Sequence, residues 1–243
     1  MGNEHVSMYL LSGLATAPHF MDSFRLALHR MIEKKAASVH SELLFPYGDW
    51  SRRVIPQLRE IGHDLRLGVS RYGRSIGGKR AIEAVQARQR SGHADRGRTI
   101  WIGHSGGGVA AVHAAGMQLE REGGMPSPSV LIGSPKFRIR QELRHSVLYV
   151  YAAADEAAPG RGSSVKTADR ISRLGTFGGW TANNQWLPSW SVDKYAPQAA
   201  CGVPIIGGHP DYFREQEPFI NSHGLSNQWL TLQAIWSWLE ERI

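Results

Sequence analysis

Gly103-His104-Ser105-Gly106-Gly107 places one hydroxyl between glycines two residues before it and two after it. A short apolar run, Thr99-Ile100-Trp101-Ile102, comes just before, and an alanine-rich apolar stretch over residues 109–119 comes just after. Strand, sharp turn and helix in that order is the setting in which a serine stands on a strained bend, where flanking side chains would collide unless they are glycine. The bend also turns the positive end of the helix toward the hydroxyl, which favours developing negative charge. The chemistry this allows is attack by Ser105 on a carbonyl carbon.

A serine hydroxyl attacks poorly until a base takes its proton, and the base must be held in one tautomer by an acid. On an elbow of this kind the acid and then the histidine follow the serine along the chain. Asp155 is the expected acid, just past the apolar Val147-Leu148-Tyr149-Val150-Tyr151, because the carboxyl ends of parallel strands face the ligand-binding edge of an open α/β sheet. Glu156 is its neighbouring rival; Asp169 and Asp193 lie in irregular sequence and rank below both. Of eleven histidines, only His209 and His223 follow Asp155. His209, in Gly207-Gly208-His209-Pro210-Asp211-Tyr212-Phe213, sits between the expected last strand and the closing helix and is the expected base, with His223 as the alternative. His104 is expected to pack beneath the elbow, since neighbours on a tight turn point apart. An oxyanion hole needs two backbone N–H donors. Gly106 supplies one; the other is expected from Ser12-Gly13-Leu14-Ala15-Thr16, with Leu14 ahead of Ala15.

The elements that must position these groups read as apolar runs alternating with amphipathic stretches, the pattern of a parallel sheet wrapped by helices. Strands are expected at 8–11, 38–45, 99–102, 129–132, 146–151 and 203–206, and helices at 19–35, from 54, 76–90, 109–119 and 226–242. Between 160 and 202 the periodicity weakens, which suggests a small lid insertion, and Trp180, Trp186 and Trp190 there are expected mainly to pack into the core. No repeat, low-complexity segment or linker divides residues 1–243, so one domain is expected. The fold class is α/β, with a mostly parallel central sheet and helices on both faces.

Composition sets outer bounds. With 42% hydrophobic and 20% charged residues, the 243-residue chain has an ordinary globular make-up, and its one cysteine, Cys201, excludes an intrachain disulfide. The first residues carry Glu4 and no Lys or Arg, against an export signal, so a cytoplasmic location is expected. No run is long and apolar enough for a transmembrane segment. The net charge of +7 is concentrated between Arg66 and Arg98, where Glu83 and Asp95 are the only acids. That excess reads first as a solvated helix face, and no nucleic-acid-binding motif accompanies it. Gly73-Arg74-Ser75-Ile76-Gly77-Gly78-Lys79-Arg80 has phosphate-loop spacing but puts Arg80 where Ser or Thr must hold magnesium, so nucleotide binding is not expected. No metal-ligand spacing is present.

Together the Ser-Gly-Leu loop, the Gly-His-Ser-Gly-Gly elbow, Ile132-Gly133-Ser134-Pro135 and Gly-His-Pro-Asp-Tyr-Phe resemble the α/β-hydrolase superfamily, with the elbow nearest its lipase-like branch. The resemblance implies a cofactor-independent serine hydrolase acting on a small-molecule ester or lipid-like substrate, with Ser105 as nucleophile, Asp155 as acid and His209 as base. Thioesterase, amidase or acyltransferase chemistry, or a silent hydrolase-fold binding protein, are the alternatives. Two departures stand out: Ser12-Gly13 replaces the frequent His-Gly at the oxyanion loop, and Gly108 adds a third elbow glycine. Oligomeric state has no signature in the sequence.

Overall fold

The computed structural model describes residues 5–90, 97–153, 169–182 and 187–243. The N-terminal apolar run forms β1 (His5–Leu11), buried from Val6 onward. It lies inside the sheet, paired on one side with β2 (Ser38–Leu44) and on the other with β3 (Arg98–His104). Beyond β3 come β4 (Ser129–Ile132), β5 (Val147–Ala152) and an edge strand, β8 (Ala199–Val203), and every pairing in this six-stranded sheet is parallel. Strands covered on both faces lose the polar–apolar alternation and become continuous apolar runs, as β3, β4 and β5 are.

Side chains along β1 still divide by face with a period of two. Met8 and Leu10 enter a core closed by α1 (Asp22–Glu33) and α5 (Asn227–Leu239), through Phe24, Leu28, Ile32, Leu232, Ile235 and Leu239. Tyr9 and Leu11 enter the opposite core under α2 (Val54–Leu65), α3 (Ile76–Arg90) and α4 (Gly106–Glu122). The expected α/β class, with a parallel sheet and helices on both faces, is the observed one. The order β2-β1-β3-β4-β5-β8 also reverses direction between β1 and β3. A crevice opens beyond the carboxyl ends of the strands at such a switch point. The Ser12–Thr16 loop leaves β1 there, and Ser105 leaves β3.

Three expectations change in the stretch beyond β5. The last strand is Ala199–Val203 rather than 203–206, because Pro204 has no N–H to continue the ladder. Its small residues Ala199, Ala200, Cys201 and Gly202 left no apolar run to read. Residues 179–191 carry an antiparallel ribbon, β6 (Gly179–Ala182) with β7 (Pro188–Ser191), in which Trp180 faces Trp190. Those two rings meet edge to face at 5.5 Å and stand exposed instead of filling the core, while Trp186 lies outside the described residues. The described part of the stretch expected to hold a lid contains a 3-10 turn (Ile171–Arg173), a ribbon and most of an edge strand.

The phosphate-loop-like sequence also acquires a structural reading. The N-terminus of α3 does hold an anion, and it is the chain's own Asp64. That buried carboxylate accepts from the Ile76 and Gly77 amides at 2.9 and 2.8 Å, from the Ser75 hydroxyl at 2.7 Å and from the Tyr47 hydroxyl at 2.9 Å. A helix N-terminus attracts negative charge whatever its source. Among the described residues, no helix is long and apolar enough to cross a membrane.

Candidate active site

Ser105 has φ 57° and ψ −131°, a conformation L-residues rarely adopt and one that persists only where the surroundings impose it. The surroundings here are specific. Its amide donates to the Ile132 carbonyl at 3.0 Å, pinning the turn to the end of β4. A Cβ on Gly103 would enter the backbone of Gly107, and one on Gly107 would enter the Leu11 carbonyl, so the outgoing helix lies directly on β1 and β3. Gly108, the extra glycine, makes room for the Ser134 hydroxyl. These contacts are the crowding that the Gly-x-Ser-x-Gly spacing predicted.

The loop after β1 abuts the same serine. A Cβ on Gly13 would lie 2.6 Å from the Ser105 Cβ and 3.0 Å from its Oγ, so only glycine fits there. Ala15, with φ 48°, donates its amide to Gln57 Oε1 at 2.9 Å. That commitment removes Ala15 from the two candidate oxyanion donors of the loop. No acceptor for the Leu14 amide is found among the described residues. Gln57 is fully buried on α2, and its Nε2 donates to the Asp49 and Arg52 carbonyls, so one side chain clamps the loop. Sequence reasoning missed it, since a lone glutamine on an amphipathic helix carries no sign of burial. Ile61, one turn on, packs against Gly106.

His209 opens a 3-10 turn, His209–Phe213, that Asp211 caps by accepting from the Gly208 amide at 2.8 Å. Its Nδ1 donates to Asp169 Oδ1 at 3.0 Å, and the carboxylate is fully buried. The partner of His209 is thus Asp169, and Asp155, the acid expected, lies outside the described residues. Asp169 accepts further bonds from the Ile171 amide at 2.8 Å and, on Oδ2, from the Tyr212 hydroxyl at 2.8 Å. Burial alone would raise its pKa; the bonds from His209, Tyr212 and the Ser172 amide outweigh that and hold the carboxyl below its usual range. Tyr212 in turn accepts from the Ala152 amide at 2.8 Å. The phenol therefore ties Asp169 to the carboxyl end of β5, the strand end where an acid was expected. Gly133, with φ 56°, leaves space for both Asp169 Oδ2 and the Tyr212 ring.

His104 is buried beneath the elbow, as anticipated, and it also has a task. Its Nε2 donates to the His209 carbonyl at 3.1 Å, and its ring stacks on the His209 ring at 4.7 Å between centroids. Burial, reinforced by the nearby His209, lowers its pKa to about 3, so the ring stays neutral and keeps the proton it donates. Because His104 precedes Ser105, this stack brings the turn that carries His209 to the elbow. His223, the alternative base, is exposed in a turn with Asn221.

No protein-family model matches the chain, and no curated protein matches it. Among solved structures, an iodinated complex of acetyl xylan esterase is similar over 99% of both chains, at 8% sequence identity and a TM-score of 0.38. At that identity and score it adds nothing to the reading of the site.

Proposed function

We propose that this chain is a serine hydrolase of the α/β-hydrolase type that cleaves carboxylic esters through an acyl-enzyme, with Ser105 as nucleophile, His209 as base and Asp169 as acid. The observation that supports the proposal is the His209–Asp169 hydrogen bond, on a turn that stacks against His104, the residue before the strained Ser105. An ionised carboxylate only accepts, so the bond puts the imidazole proton on Nδ1 and leaves Nε2 as the basic nitrogen. Nε2 takes the Ser105 proton as Oγ attacks the acyl carbon, and the buried carboxylate stabilises the imidazolium that forms. The amides of Gly106 and Leu14 would receive the oxyanion, the first with the field of the α4 N-terminus behind it. The imidazolium then protonates the leaving alcohol, and a water deprotonated by the same histidine releases the acid.

This reading uses no cofactor and places the substrate among small-molecule or lipid-like esters. Labelling with a fluorophosphonate probe tests it, alongside hydrolysis of short aryl esters. The wild-type protein should label on Ser105 and turn over. Ser105→Ala should not label, and its turnover should fall by at least ~10³-fold. Equal labelling or turnover of the two proteins would falsify the proposal.

A further inference from the structure

α2 turns Gln57, Ile61 and Asp64 inward, yet its opposite side is also apolar. Ile55 is 64% exposed, Leu58 51% and Val54 45%, and Trp50, just before the helix, is 65% exposed. Residues 54, 55, 58 and 62 share one side at helical spacing. Ile55, Leu58, Arg59, Gly62, His63 and Arg66 line a single shallow depression there. A contiguous apolar face of this kind on a helix already packed on its other side marks a contact surface.

The charge around it is mainly positive, with Asp49, which accepts from the Ser51 amide and hydroxyl, the acid beside Trp50. Arg53, at the start of α2, and Arg59 and Arg66, which line the depression, are exposed, and none forms an ion pair with a carboxylate among the described residues. The only acids between Trp50 and Arg74 are turned elsewhere: Glu60 is held by Arg52 and Arg80, and Asp64 is buried at the start of α3. A second copy of this face would set arginines against arginines. A purely polar polyanion would leave tryptophan, isoleucine and leucine in water. Both needs are met at a lipid interface of negative charge, where apolar side chains enter the acyl boundary, tryptophan sits at headgroup depth and arginines reach the phosphates.

We propose that the outer face of α2, with Trp50 and the surrounding arginines, docks on an anionic lipid surface. Through Gln57 and Ile61 the same helix supports the Ala15 loop and Gly106, so docking would set the candidate active site beside the lipid. The binding is independent of the catalytic reading, because it requires neither Ser105 nor His209.

Flotation of the full chain with phosphatidylcholine vesicles, with and without phosphatidylglycerol, tests the idea. The wild-type protein should float with the anionic vesicles and be released by added salt. An Arg53→Gln/Arg59→Gln/Arg66→Gln protein should bind on the order of 100-fold more weakly, at about fivefold per arginine. Ile55→Ser/Leu58→Ser should also lose binding. All these positions are at the surface, and an unchanged circular dichroism spectrum with an unchanged urea midpoint verifies folding. Equal flotation with neutral and anionic vesicles overturns the proposal, as does wild-type binding by either variant. Concentration-dependent self-association through this face, abolished by Ile55→Ser/Leu58→Ser in the absence of any vesicle binding, also overturns it in favour of a second copy.

Discussion

Two hydrogen bonds on one carboxylate set the electronic state of the candidate site: His209 on Oδ1 and Tyr212 on Oδ2 of Asp169. Replacing that acid by an amide presents the wrong tautomer to the imidazole even when the shape is kept. Asp169→Asn should therefore lower kcat by roughly 10³–10⁴-fold, whereas Asp155→Asn should leave it within about threefold. Steady-state ester hydrolysis separates the two, and the reverse pattern would return the acid role to Asp155. Tyr212 acts on the acid from behind. In Tyr212→Phe the buried Oδ2 and the buried Ala152 amide both lose their partner, at a cost of about 1–3 kcal/mol for each. A lower urea midpoint with unchanged far-UV dichroism is the expected result; an unshifted midpoint would mean that other groups satisfy both.

At the level of the elements, the turn at Ser105 exists because α4 and two strands touch through glycine. Gly107→Ala would push a methyl into the Leu11 carbonyl, and the overpacking should destabilise the fold by about 1–3 kcal/mol or more. Gly68→Ala, with open space around it and extended backbone, should stay within about 0.5 kcal/mol of wild type. Urea titrations of both proteins measure the contrast. The same close contacts explain what the sequence disclosed. Periodicity and glycine spacing revealed the sheet core, α3, β4, the elbow and the turn bearing His209, because each depends on short-range pattern. The pairing of Asp169 with His209 has no such pattern behind it: Asp169 comes well after β5 in aperiodic sequence, and its contacts with His209 and Tyr212 join residues distant along the chain. The one available hint was local: His209 and Tyr212 lie three apart on one turn and so can face a common partner. The last strand is expected at 203–206 instead of its true place, Ala199–Val203, because a strand of small residues has no hydrophobic signature.

For the molecule as a whole, buried titratable groups shape its response to acid. His104 is held to about 3, chiefly by burial, and His113, whose ring nitrogens are buried without a hydrogen bond, to about 4 for the same reason. Below pH 6.5 the unfolded chain binds protons at these positions that the folded chain refuses. Stability is therefore complete above about pH 6.5 and declines toward pH 4, by about 1.4 kcal/mol per pH unit for each group. Asp169 and Asp64, whose folded pKa values are lowered, add a second loss as the pH falls below the ordinary carboxylate range. Urea midpoints at pH 7.5, 6.0 and 4.5 should fall in that order, and His113→Leu should reduce the slope between pH 6.5 and 4; identical slopes would refute the account. Asp64 has a different consequence for the surplus of positive charge. With the amides at the head of α3 already engaged from within, the most stereospecific seat for a visiting phosphate on this side is closed. What remains is a diffuse field, which distinguishes a charged plane from a neutral one but cannot tell one small anion from another. Millimolar inorganic phosphate should then compete only as any salt of equal ionic strength does.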